Sequence, residues 1–512
     1  MLPPSYLDAM PDAFVQLAQQ VEDEILQDVA RRIGKMDTVT ATVNWQLWRY
    51  QQTEALRNDI VKLLAKYTGK SEATIRRLLL QAATEAMERE DAIYYHYDLE
   101  PTPFEESPAL NNLLDAGARQ TCGTWQNLTA TTANTVTGAF ERTLDAAWLK
   151  VSTGAFDYKS AIKQAVDSLA DDMPMVTYPS GHTDSIEVAA RRAVLTGVNQ
   201  TAGRLQVARA DEMGVEFFET TAHGGARPSH AEWQGRRFHR GGAVDYLGKH
   251  YPDFEQATGY GTGAGLCGWN CRHTFFAVFP ELGDPPQWTE ESLQELNARS
   301  IEYNGKKYTA YEISQMQRAR ERHVRKWKKR YLAESAAGSD TTDSAVRLRA
   351  ARQSLSEFAK ATGGRVDSAR VSVPKFGRSE ASRASWAVKG YEKQQKDAII
   401  KESLRVAGGF KRTAEIHLTP TPIDVDALTF DDAHINQERE HHVTEAQAKQ
   451  YIRDAKISVT VWGGQFERYY GAEGATYVDM KKMHIRTAYS RDQYDENTIA
   501  LIEEMKKNGL LG

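Results

Sequence analysis

The sequence predicts a mainly α-helical N-terminal region with a small α+β motif domain, then a helical linker, then a C-terminal α+β domain of helices on a four-stranded antiparallel sheet. Three observations carry this expectation. Apolar residues recur at helical spacing between residues 12 and 213, whereas cysteine, histidine and tryptophan gather between 221 and 281. Beyond residue 415, short segments of alternating apolar and polar residues replace the helical period. The expected parts are 1–213, 214–286, 287–408 and 409–512.

A chain of 512 residues has room for two to four domains. Charged residues make up 26% with a net charge of only -5, so the global balance demands neither nucleic acid nor a membrane surface. No apolar run approaches the roughly 18 residues of a membrane span. Met1-Leu2-Pro3-Pro4 lacks the basic-then-apolar order of a secretory signal. Three cysteines, two of them close together, do not make a disulfide framework, which points to synthesis in a reducing cytoplasm.

Phe14, Leu17, Val21, Ile25 and Val29 form the stripe of a first helix, and Leu56, Ile60, Leu63 and Leu64 that of a second. Gly69 is expected to end the second and Ser71 to cap a third, which carries Ile75, Leu78, Leu79 and Ala82. Tyr94, Tyr95 and Tyr97 follow as packing residues. Helical patterning continues through 108–170 and, after the turn Tyr178-Pro179-Ser180-Gly181, through 185–213. Arg191, Arg192, Arg204 and Arg209 would lie on a solvated face of that last helix.

Residues 215–221 read as a strand, 275–279 as its partner, and the glycine-rich 241–265 as a long excursion between them. The knot so enclosed runs from His223-Gly224-Gly225 through His230, Trp233-Gln234-Gly235 and on to Cys267-Gly268-Trp269-Asn270-Cys271-Arg272-His273. Cys267, Cys271 and His273, with either His223 or His230, are the ligand types of a tetrahedral zinc site. The alternative is a pair of reduced core cysteines with histidines hydrogen-bonded beneath the tryptophans. A cysteine nucleophile with a histidine base is a third reading, but no orienting group or oxyanion donor accompanies it.

After Pro285-Pro286 a helix over 311–329 concentrates Arg318, Arg320, Arg322, Arg325, Lys326, Lys328, Lys329 and Arg330. Such a helix lies either on nucleic acid or on the solvated face of a bundle. A second helix spans 343–361, and 365–408 shows too little periodicity to be more than a linker. A short helix over 431–440 would place His434 and His441 on one face. Thr444 and Gln447 have the spacing of a capping box. Four strands follow over 457–462, 465–470, 475–480 and 484–489, with Gly463-Gly464 as the first hairpin turn and a last helix over 497–507.

His230-x-x-Trp233-Gln234-Gly235 followed by Cys267-Gly268-Trp269-Asn270-Cys271-Arg272-His273 resembles the closing motif of phage minor capsid proteins, in the minor capsid protein 2 group of the Mu-type (MuF) head-morphogenesis family. The resemblance extends over about the first 335 residues, through Tyr303-Asn304-Gly305-Lys306-Lys307-Tyr308-Thr309. It implies a virion protein inside the head near the portal, in contact with portal and major capsid proteins and with packaged DNA within reach, and no membrane partner. The C-terminal segment around His434, His441-His442 and Arg486-Thr487-Ala488-Tyr489 is similar to the phage-associated nuclease domains of the barnase, EndoU, colicin and RelE type. That similarity implies metal-independent RNA cleavage requiring no cofactor. His434, His441 and His442 would supply base and acid, Arg486 a phosphate clamp, and Thr487 and Tyr489 hydrogen bonds. From 411 to 512 there are 13 Lys and Arg against 17 Asp and Glu, a balance unlike that of a free RNA binder.

Overall fold

Helices with facing apolar stripes build the first part of the chain. In the computed structural model, which describes residues 2–36, 42–173 and 175–511, the chain divides into two units, Met1–Ser385 and Trp386–Gly512. In the first, Ile186–Met213 is the axial helix, packed by Asp12–Gly34, Thr42–His96 and Pro108–Ala130. It buries residues on every side, which explains why no single amphipathic face marks it. Ser185 caps its start by accepting from Val188 N–H, and Gly214 ends it at φ 69°. Two reciprocal notches let it approach Pro108–Ala130 closely. A Cβ on Gly117 would stand 2.3 Å from Thr201 Oγ1, and one on Gly197 2.2 Å from Thr121 Oγ1.

Two expectations fail here for a common reason. Gly69 does not end a helix, and Ser71 does not cap one: Thr42–His96 runs unbroken for 55 residues. The glycine costs about 1 kcal/mol, which burial of Leu56, Ile60, Ile75, Leu79 and Met87 along the same rod exceeds several-fold. Nor are the arginines of the axial helix a solvated face. Arg209 is fully buried between Asp91, at 2.8 Å, and Glu212, at 2.7 Å. Arg191 reaches Asp12, Arg192 reaches Asp184, and Arg204 donates to Gln120.

The basic helix, Ala310–Ala336, also turns its charge inward. A capping box joins Thr309 and Glu312 at its start. Lys329 pairs with Glu22 and Arg325 with Glu187, while Arg330 meets Asp167 at 2.5 Å and Lys326 meets Asp171 at 3.2 Å. Lys328 donates to the Val371 carbonyl. Neither expected reading holds for these five residues, because carboxylates of other helices hold four of them and a backbone carbonyl holds Lys328.

The motif region is a three-stranded antiparallel sheet with Phe217–Thr220 in the centre, flanked by Arg237–His239 and Phe275–Ala277. Phe218, Phe254 and Phe275 fill its core with ring centroids 4.9–5.1 Å apart. The excursion between the strands holds the hairpin Val244–Tyr246 and Lys249–Tyr251 and the short helix Phe254–Thr258.

Where little periodicity was evident, Arg378–Ala407 forms a helix of 30 residues. Trp386, Ile399 and Val406 on it are exposed, at 70%, 69% and 64%, whereas Ile400 and Leu404 are buried; apolar residues on both faces hide the period. In the second unit the four expected strands are present, but they are the middle of a six-stranded sheet. Its order is Glu415–His417, Ile457–Val461, Phe466–Tyr470, Gly474–Asp479, His484–Ser490 and Thr429–Phe430, the last pair parallel and the rest antiparallel. The two added edge strands have only three and two residues, too short for a pattern. Glu445–Asp454 starts at the expected capping box of Thr444 and Gln447, and Glu496–Lys507 closes the unit.

Candidate functional site

The knot between the strands is held by glycines and by the axial helix. A Cβ on Gly265 would lie 2.0 Å from the Gly259 carbonyl oxygen, so only glycine lets these two stretches of backbone touch. Asn199 Nδ2 donates to the carbonyls of Cys271 and His273 at 3.0 and 3.1 Å, tying the loop to the helix. Trp233, Cys267, Cys271 and His273 are all at least nine-tenths buried. The Trp233 ring meets His230 and His273 with centroids 4.6 and 4.9 Å apart. Trp269 points outward, 60% exposed.

Within this knot His230, Cys271 and His273 bring three ligand atoms together. The Nδ1 atoms of the two histidines are 3.4 Å apart, and Cys271 Sγ is 3.7 Å from each. Metal–nitrogen and metal–sulfur bonds of zinc predict tetrahedral edges of roughly 3.4 Å for N···N and roughly 3.6 Å for N···S. The hydrogen bonds behind the rings fix their tautomers. His230 Nε2 faces the Ala264 carbonyl at 2.9 Å, which can only accept, so this nitrogen carries the proton. Gln234 Nε2 donates to Asn297 Oδ1, and Gln234 Oε1 accepts from His223 N–H, so the same oxygen also accepts from His273 Nε2–H at 3.1 Å. Both Nδ1 atoms therefore present lone pairs to one another and to the sulfur. Burial pushes His230 down to about 4 and holds His273 well below its ordinary value, helped by His223 and His230, so both rings are neutral.

Cys267 stands outside this group. Its sulfur donates weakly to the His273 carbonyl at 3.8 Å and backs onto the axial helix at Gly203. Its backbone is left-handed, at φ 59°, and its side chain belongs to the apolar cluster of Phe218, Phe254 and Phe275. His223 stacks on His273 with centroids 4.4 Å apart, and its Nδ1 faces the Gly224 carbonyl.

In the C-terminal unit the strands Gly474–Asp479 and His484–Ser490 change register between Tyr477, opposite Thr487, and Val478, opposite Ile485. Arg486 is the extra residue of a bulge. Arg486 and Thr487 would otherwise face opposite ways, but the guanidinium of Arg486 lies 5.6 Å from the ring of Phe466, on the face that carries Arg468 and Tyr470. On that face Tyr477 bonds both Tyr470, at 3.0 Å, and Tyr489, at 2.6 Å. Thr487 is buried there with a hydroxyl that has no partner. The His441 ring packs 5.6 Å from Tyr489 and bonds Gln493. Burial lowers its pKa, as do Arg439, His434 and His442, against the bond to Gln493.

The expected helix does not place His434 and His441 together. The helical turn Ala433–Glu438 is of the wide π type and ends before His441. His434 pairs with Glu438 at 2.7 Å, and His442 is exposed at φ 53°. Arg468, whose guanidinium lies 4.6 Å from the Tyr477 ring, is a cation the local pattern did not single out. The period-two relation of Phe466, Arg468 and Tyr470 was the available signal.

The family model described as phage minor capsid protein 2 matches residues 2–360. A structural protein of Lactococcus phage LL-H is 27% identical over 254 residues, 47% of this chain and 64% of that protein. The match therefore spans a little under two thirds of that relative. No solved structure matches the chain. No helix among the described residues is long and apolar enough to cross a membrane.

Proposed function

The chain belongs to the phage minor capsid protein 2 family, and from that premise we propose that it is a structural component of the virion, seated inside the head near the portal. Portal and major capsid proteins are its partners in this reading, and packaged DNA is its neighbour. The helical unit is the scaffold, and His230, Cys271 and His273 bind a zinc ion that locks the motif sheet against the axial helix. The observation that supports the ion is the pair of Nδ1 lone pairs 3.4 Å apart with the Cys271 sulfur 3.7 Å from each, a repulsive arrangement that a shared cation relieves. The metal supplies structure here, not chemistry. Elemental analysis of the full-length protein should give about one zinc per chain, lost in His230→Ala and Cys271→Ala. A wild type that holds no zinc when grown with it removes the metal. Absence of the protein from purified particles removes the virion role.

The C-terminal unit lies beyond the family match, and we infer that it cleaves RNA without metal. Bulging of Arg486 onto the face of Thr487, Tyr489 and His441 is the support for this reading. His441 would take the proton of the ribose 2′-hydroxyl as its oxygen bonds to phosphorus. The bond from phosphorus to the 5′-oxygen breaks, with His434 or His442 returning a proton to that oxygen, and Arg486 offsets the charge on phosphate. RNA treated with the full-length protein should acquire 2′,3′-cyclic phosphate ends, and His441→Ala should abolish them. Intact RNA with the wild type leaves the unit as a docking or DNA-binding module.

A further inference from the structure

A cavity of about 970 Å³ opens beside the histidine–cysteine group, and its walls carry more arginine than the carboxylates facing it can neutralise. Three of its arginines are spoken for: Arg191 by Asp12, Arg192 by Asp184 and Arg325 by Glu187. The others are not. Arg272, Arg370 and Arg318 converge on one carboxylate, Asp8, at 2.8, 2.5 and 3.9 Å. Among the described residues Arg227 reaches only a carbonyl oxygen, that of Trp269, at 2.6 Å. Arg322 is exposed and has no side-chain partner among the described residues. Arg370 also meets Asp367 at 3.1 Å, so five guanidiniums face three carboxylates, Asp8, Asp367 and Glu321, and two positive charges remain. Their mutual repulsion is visible at Arg318, which burial together with Arg272 and Arg370 pushes down to about 10.

We propose that this cavity binds an oligophosphate, two or more phosphate groups in series, through Arg227, Arg318 and Arg322. A guanidinium presents its donors as a planar fork that matches two phosphate oxygens at once. Two uncompensated charges in one concavity exceed what a single carboxylate or phosphodiester offsets, and they match two phosphates in series. Two sources share that chemistry, a nucleic-acid backbone and a free nucleoside triphosphate. The site requires neither zinc on His230, Cys271 and His273 nor activity in the C-terminal unit.

The test uses the full-length protein, a fluorescent single-stranded DNA 12-mer, ATP and an oligoglutamate peptide, with binding followed by anisotropy and calorimetry. The variants are Arg318→Gln/Arg322→Gln, the exposed single variant Arg322→Gln, and Lys62→Gln on a distant helix as the control. Arg322 is exposed, and among the described residues Arg318 has one carboxylate partner, Asp8 at 3.9 Å, so both changes leave the close ion pairs of the fold in place. Expected is binding of an oligophosphate that the double variant weakens by about tenfold or more and the control does not. DNA binding with competition by ATP identifies the backbone as a ligand; ATP binding without DNA binding identifies the free nucleotide. No binding of either, equal binding of oligoglutamate, or binding unchanged in the double variant overturns the assignment. Attachment through a metal on His230, Cys271 and His273 belongs to the last outcome, because it would survive loss of both arginines.

Discussion

Asp23→Asn should remove a pH dependence that the helical unit carries in its core. Asp23 is 1% exposed, and neither of its carboxylate oxygens has a hydrogen-bond partner. Burial pushes its pKa from 3.8 up to about 7; Lys329 opposes the shift, and Glu22 and Glu187 add to it. Below pH 3.8 folded and unfolded chains both hold the proton. Between there and about pH 7 only the unfolded chain loses it, so unfolding releases a proton and stability falls as pH rises. Above about pH 7 both forms are ionised and the loss is complete. About three pH units at roughly 1.4 kcal/mol each amount to about 4 kcal/mol. Asparagine copies the protonated acid at every pH, so the variant should match the wild type near pH 4 and exceed it by about 4 kcal/mol at pH 8. Urea unfolding followed by tryptophan fluorescence suits the measurement, since eight of the ten tryptophans lie in residues 1–385. Asp167 is pushed up to about 7 as well, by burial and by Glu334, and its share remains in both proteins. The difference between the two curves isolates Asp23. Parallel curves for variant and wild type between pH 4 and 8 would refute the reasoning.

Arg209→Ala should cost about 3–5 kcal/mol in the same assay, because it strands the buried Asp91 carboxylate beside a void. A loss below about 1 kcal/mol would mean that water reaches the site. Cys267→Ala should leave the zinc content of the purified protein unchanged while Cys271→Ala abolishes it. Equal loss in both would return Cys267 to the ligand set.

Much of the site could be read from residue types, but its membership could not. Cys267 and Cys271 are indistinguishable as letters. The left-handed backbone at Cys267 and the lone pairs fixed by Ala264 and Gln234 separate them, and these belong to segments up to 41 residues away. Arg486 and Thr487 likewise look opposed on a regular strand, and a one-residue slip against Tyr477 and Val478 brings them to one face.

The sequence by itself determined most of the helices and the four central strands of the C-terminal sheet, since the 3.6- and 2-residue periods and a cap such as Thr444 are local properties. It also determined the family, through the Cys-Gly-Trp-Asn-Cys-Arg-His run and its surroundings. Only the tertiary structure decided which charges are buried. Arg209, Lys329 and Arg325 look like a solvated surface until carboxylates from helices more than a hundred residues away meet them. The reason is physical: periodicity reports what one segment does to its own backbone, whereas desolvation and ion pairing depend on what another segment brings to the contact.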